Sequence, residues 1–166
     1  MALRQILTLP DPALAQVCAP VASDEDPSTL IADMFETMYA APGRGLAAPQ
    51  IGVLKRIFVM DVGWKDGPKT PVAMINPQVT WASDTLQTTA EGCLSIPGVL
   101  VDVDRPDAVT MAWTDEDGRL REERFTGFAA VCVQHELDHL DGIVTFDRIP
   151  PEIRAAAEAA YAKGPA

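Results

Sequence analysis

The sequence predicts an α+β fold, with antiparallel β-sheets packed around one central helix, an N-terminal helix and a C-terminal helix. Three observations predict it. The patterned segments run in the order helix, many short strands, helix, helix; fourteen prolines and eleven glycines keep those segments short; and a 48% hydrophobic content suffices for a buried core. At 166 residues the chain fits a single domain over 1–166.

The first helix is expected from about Pro27 to Tyr39. Asp26 is its N-cap, Pro27 suits the first helical position, and Leu30, Ile31, Met34, Phe35, Met38 and Tyr39 fall on one stripe. Pro42 and Gly43 end it. Strands are expected at Arg56 to Val62, Val72 to Ile75 and Val79 to Trp81, then where Val99, Val101 and Val103 alternate with acidic residues. Ala108 to Trp113 and Arg119 to Phe125 flank the turn Asp115-Glu116-Asp117-Gly118 and so make a hairpin. The central helix starts near Gly127 and runs through Val131 and Val133 to Leu140, where Asp141-Gly142 stops it. Its β-branched residues predict burial. A last helix, about Glu152 to Lys163, follows Pro150-Pro151; it is alanine-rich and weakly amphipathic, so it rests on propensity.

Charge and cysteine content narrow the class. Thirteen Lys and Arg against twenty-four Asp and Glu give a net charge of -11, the wrong sign for gripping a phosphate backbone. Three cysteines, Cys18, Cys93 and Cys132, cannot all pair within one chain, which predicts a reducing compartment. The apolar residues before Pro10 and Pro12 are too few for a signal segment or a membrane span. These features together predict a cytoplasmic protein that binds neither nucleic acid nor membrane.

The chain's two histidines both lie in His135-Glu136-Leu137-Asp138-His139. Residues four apart share one helix face, so both imidazoles can bind one metal while Glu136 serves as base. The central helix is then a metal-binding helix. A third ligand leaves one position open for water. Cys132 is displaced by about 7 Å along the axis from the midpoint of the histidines, and Asp138 points about 80° off their direction, so Asp138 is better placed to orient than to ligate. Cys18 and Cys93 stay open as the soft ligand. Arg105 follows the valine strand and is expected to pair with Asp138 to fix the ligand helix. Small residues at 43–48 allow close backbone approach to a ligand, and Gln50 offers an amide N–H to an oxyanion.

Taken together, GRGLAAPQ at 43–50, EGCLS at 91–95 and QHELDH at 134–139 resemble the three signature segments of the peptide deformylase family, in the same order and spacing. The likeness extends to Ile6-Leu7-Thr8-Leu9-Pro10 and to the helix Met34-Phe35-Glu36-Thr37-Met38-Tyr39. It implies an α+β fold and a metal held by Cys93, His135 and His139, commonly Fe(II), with Zn, Ni or Co in a purified protein. It implies removal of the N-formyl group from the formyl-methionine of nascent chains, with a formyl-methionyl peptide as substrate and transient contact with the ribosome. Glu136 is then the general base, Gln50 and the Leu94 N–H the oxyanion donors, and Arg44, Gly45, Glu91 and Gly92 the residues against the substrate.

Two positions and the last helix depart from the family pattern. Arg44 stands where an apolar residue is usual, which makes the rim of the methionine pocket more polar. Leu100 stands where many relatives carry an arginine that meets the downstream end of the peptide. The last helix carries Glu152, Arg154, Glu158 and Lys163, whose charges cancel, so it is no basic docking arm. Two other readings stay open on the sequence: a zinc metallopeptidase, which shares H-E-x-x-H, and a paralogue that acts on another N-acyl substrate or only binds formyl-peptides.

Overall fold

The computed structural model of the chain describes residues 2–164; Met1, Pro165 and Ala166, the outermost residues of the expected domain, lie outside the described residues. Helix α1 (Ser28–Ala40) precedes seven strands: β1 (Gly45–Ala47), β2 (Ile57–Met60), β3 (Val72–Ala82), β4 (Leu86–Cys93), β5 (Ile96–Pro106), β6 (Ala108–Thr114) and β7 (Leu120–Thr126). Helices α2 (Gly127–Leu140) and α3 (Pro151–Ala162) follow. Five strands form one sheet in the order β1-β2-β3-β6-β7, and β4-β5 form a second; every strand pair is antiparallel. This is the expected α+β class. No helix among the described residues is long and apolar enough to cross a membrane.

Helix α2 lies against the larger sheet. Its Ala130, Val133 and Leu140 are buried together with Phe58, Met74 and Met111 of the strands. Helix α1 covers a second apolar cluster, in which Ile31, Met34 and Met38 are buried against Leu46, Ile57 and Val59. Each such fully buried side chain contributes about 1.5–3 kcal/mol. Helix α3 packs Ala157 and Tyr161 on Val101 and Val103 of β5, and Tyr161 Oη donates to the Leu9 carbonyl at 2.7 Å. Packing therefore holds the alanine-rich helix as well as propensity.

The structure corrects three of the expected elements. Asp26 does cap, its side chain accepting from the Ser28 N–H at 3.0 Å, but Pro27 takes the N-cap place and α1 starts one residue later. The expected strands at Val72 and Val79 are one strand, β3. Asn76 adopts φ 51°, and the register slips by one residue between Ile75 and Gln78, so Pro77 sits in a bulge where its missing N–H interrupts no ladder. The Asn76 side chain fixes that bulge by accepting from the Val21 N–H at 2.8 Å and donating to the Val21 carbonyl at 3.0 Å. Strand β4 is the third correction. Its sequence, Leu-Gln-Thr-Thr-Ala-Glu-Gly-Cys, has too few apolar residues to show a strand pattern, yet it pairs along β5 from Leu86↔Pro106 to Cys93↔Ile96.

The C-terminus of α2 is tied down. The Leu140 carbonyl accepts from the Cys18 N–H at 2.9 Å and from Arg56 Nη1 at 3.0 Å. Gly142 then turns at φ 73°, where an added Cβ would lie 2.7 Å from the Ala15 carbonyl oxygen. Gly142→Ala is expected to destabilise the fold by about 1–3 kcal/mol from the backbone conformation alone, and further through the backbone clash. Chemical denaturation measures it; a variant as stable as the parent contradicts the assignment.

Candidate active site

Helix α2 presents His135, Glu136 and His139 to the end of β4. The two imidazole centroids are 5.0 Å apart, as expected one turn apart on a helix face. Across from them Cys93 ends β4, with Sγ 3.4 Å from His139 Nε2. One donor atom from each of Cys93, His135 and His139 lies within 4.8 Å of the others. Metal–sulfur and metal–nitrogen bonds of about 2.3 and 2.0–2.1 Å meeting at the tetrahedral angle put sulfur and nitrogen about 3.5 Å apart. The residues fit a metal ion.

Neither of the other cysteines belongs to this cluster, although Cys132 lines the cavity beside it. Cys18 is buried in the core under α2, and Cys132 Sγ faces the Arg44 carbonyl at 3.8 Å. Burial raises the pKa of both thiols, that of Cys132 well above its ordinary value.

The ligand helix is braced from behind. Glu91 Oε1 accepts from His135 Nδ1 at 2.9 Å and from Arg105 Nη2 at 2.9 Å, while Oε2 accepts from Arg105 Nε at 2.6 Å. Arg105 Nη1 donates to Asp138 Oδ2 at 2.9 Å, and Arg148 donates through Nη2 to Asp138 Oδ1 at 2.7 Å. Two carboxylates and two guanidiniums thus form one chain of charge-assisted bonds. With Nδ1 engaged on Glu91, His135 turns Nε2 toward the metal position. Burial opposes the charge on Glu91, but His135 and Arg105 outweigh it and hold this carboxyl below its usual range. Burial is the main cause that pushes His139 well below its ordinary value, whereas at His135 burial is outweighed by the hydrogen bonds to Cys93 and Glu91, which raise it well above its own, so His135 gives up a proton when it serves as a ligand.

Glu136 is different. Its carboxyl is 3% exposed, Oε2 has no hydrogen-bond partner, and burial pushes its pKa up to about 7. Gly45 lies directly beneath: a Cβ there would come within 3.0 Å of the Glu136 carboxyl. Gln50 is buried and locked, Oε1 accepting from the Ala47 N–H at 2.9 Å. Its Nε2 therefore faces the site, donating to Ser95 Oγ at 3.0 Å and lying 3.7 Å from Cys93 Sγ. A cavity of about 660 Å³ opens onto this arrangement, lined by Arg44, Gly45, Gly92, Leu94, His135 and Glu136 among others.

The family model for polypeptide deformylase matches residues 3–155. The chain belongs to the polypeptide deformylase family. It is 47% identical to the peptide deformylase of Phenylobacterium zucineum over 90% of this chain and 89% of that protein. It is 48% identical to the peptide deformylase of Maricaulis maris over 89% of this chain and 85% of that one. Among solved structures, the peptide deformylase of Legionella pneumophila superposes with a TM-score of 0.91 at 41% identity, covering 98% of this chain and 95% of its own. The Synechococcus elongatus peptide deformylase in complex with actinonin gives 0.88 at 40% identity, covering 97% and 88%. The protein is thus a metallohydrolase of the deformylase class.

Within this deformylase all of the expected site residues except the fully buried His139 line the cavity, and one of them has other work. Glu91 lines the cavity, but both its carboxylate oxygens are engaged by His135 and Arg105, so its side chain faces the ligand helix and not a substrate. The expected Arg105–Asp138 pair is present and buried, with Arg105 only 4% exposed. Arg148 and Ser95 are the residues that sequence reasoning missed. Ser95 stands inside the EGCLS segment, two residues from Cys93, whereas nothing in the sequence near Arg148 points to Asp138.

The Glu136 burial gives a stability prediction. A carboxyl whose folded-state pKa exceeds its unfolded value binds protons preferentially in the folded state, so stability declines as pH rises from about 4.5 to about 7. In metal-free protein, Glu136→Gln is expected to match the parent near pH 4.5 and to exceed it by about 3 kcal/mol at pH 8. Thermal unfolding across that range checks it; parallel curves for the two proteins contradict it.

Proposed function

We propose that this protein hydrolyses the N-formyl group from the N-terminal formyl-methionine of nascent polypeptides, releasing formate. The observation that carries the reading is the meeting of Cys93 with His135 and His139 beside a buried Glu136 whose Oε2 has no hydrogen-bond partner. Cys93, His135 and His139 would hold the metal, and Fe(II) is proposed as the native ion, with Zn, Ni and Co suiting the same donors. When bound, the metal supplies a Lewis acid and a water acidified toward neutral pH.

The chain's own residues supply the rest. Glu136 takes the proton from the attacking water and returns it to the departing nitrogen, a task suited to a group titrating near neutrality. Attack on the formyl carbon builds negative charge on its oxygen. Gln50 Nε2 and the Leu94 N–H, in the turn between β4 and β5, are the proposed donors to that charge. Gly45 and Gly92 leave bare backbone along the cavity for an extended peptide, and Arg44 stands at its mouth. Glu91 is reassigned from substrate contact to positioning His135. Action on nascent chains further implies a cytoplasmic location and transient ribosome contact.

The test is formate release from a formyl-methionyl peptide by protein prepared anaerobically with Fe(II). Release dependent on the metal supports the reading. No release from a metal-loaded sample sinks it and favours the alternative of a paralogue for other N-acyl amides.

A further inference from the structure

The mouth of the cavity carries two cations that the proposed chemistry does not use. Arg44 and Lys65 both line it, in a chain of net charge -11. The Arg44 guanidinium lies 5.4 Å from the centre of the Phe128 ring, and its Nε is buried without a hydrogen-bond partner. Phe128 lines the same cavity, so ring and guanidinium together form one wall of the mouth. The backbone behind them is fixed, the Arg44 carbonyl accepting from the Asp61 N–H at 2.9 Å. Lys65 is brought to the mouth by its neighbour Trp64, whose Nε1 donates to the Gly43 carbonyl at 2.9 Å.

The carboxylates near these cations leave them available. Glu91 is already paired with Arg105 and hydrogen-bonded to His135. Asp66 is 3.7 Å from Arg44, and its side chain is 85% exposed. Such a long, solvated pair contributes little, and an arriving anion can replace it. Arg44, Lys65 and Phe128 line the same cavity as Cys93 and His135, so the groups just behind a formyl end bound there come within reach of both cations.

We propose that Arg44 and Lys65 make the cleft select peptides with a carboxylate close behind the formylated residue. That carboxylate is an acidic side chain in a longer chain or the terminal carboxylate of a very short peptide. The inference rests on the deformylase reading of the site.

The test compares formyl-Met-Glu-Ala amide with formyl-Met-Gln-Ala amide, and formyl-Met-Ala acid with its amide, on metal-loaded protein. The first pair reads a side chain, the second a terminus. The carboxylate-bearing member of at least one pair is expected to show about fivefold higher kcat/KM at low salt, carried by KM. The ratio fades at ionic strengths on the order of 0.5 M. Arg44→Gln and Lys65→Gln should each reduce it, and Asp66→Asn should increase it by removing the competing carboxylate. Equal kcat/KM within both pairs, with formate released, overturns this inference alone, as does a preference that survives both cation variants. Absence of formate from every peptide overturns it together with the reading beneath it.

Discussion

Glu136→Ala is expected to lower the rate of formate release by about 10²–10⁴-fold while leaving the metal bound. The expected loss is large because nothing else near the site can take its place. The two histidines and Cys93 are proposed as ligands, Glu91 is held in two directions, and Asp138 is turned away onto Arg105 and Arg148. Glu136 alone combines burial, an unpartnered oxygen and a pKa pushed up to about 7. A base must be ionised to act, so activity should fall on the acid side of a pKa at or below about 7, since a bound cation favours the carboxylate. Steady-state rates with metal analysis on the same samples decide it. A metal-loaded variant with parental activity would remove Glu136 from the mechanism.

Arg105→Met is expected to cost about 3–5 kcal/mol of folding stability, because it leaves two buried carboxylates without their shared partner. Glu91 and Asp138 are 5% and 7% exposed, so water cannot replace the lost guanidinium. The effect reaches the metal site through Glu91, whose Oε1 orients His135. Metal affinity is therefore expected to fall by about 10–100-fold in whatever fraction folds. Arg105→Lys keeps the charge but not the fork that meets Glu91 through two nitrogens, so it should lie between parent and Met variant in both measurements. Denaturation midpoints and competitive metal titration measure the two effects. Unchanged stability and affinity in Arg105→Met would reduce the network to an ornament of the fold.

The elements that were legible in the sequence are those whose signals are local. Helix α2 shows its start, its stop and its functional face within fourteen residues, and the β6–β7 hairpin announces itself through a turn and two flanking runs. Strand β4 was illegible for the opposite reason. Its residues are mostly polar, and only pairing with β5 makes it a strand. The single strand β3 was hidden by Pro77, since a proline argues against a strand unless a bulge absorbs it, and the bulge depends on Val21, far away in the chain.

The same division runs through the site. The sequence by itself determined that His135, Glu136 and His139 share one end of a buried helix face, because helical periodicity follows from backbone geometry alone. It also carried the family resemblance, through three short segments. Only the tertiary structure decided, from the residues themselves, that Cys93 and not Cys18 stands beside the histidines. It likewise decided that Glu91 turns to His135 and Arg105, and that Arg148 closes the network on Asp138. These contacts join segments distant in sequence, and they depend on strand register and on how α2 crosses the sheet. No local pattern encodes either, so the ligand pair was readable while the third ligand and its supports required the folded chain.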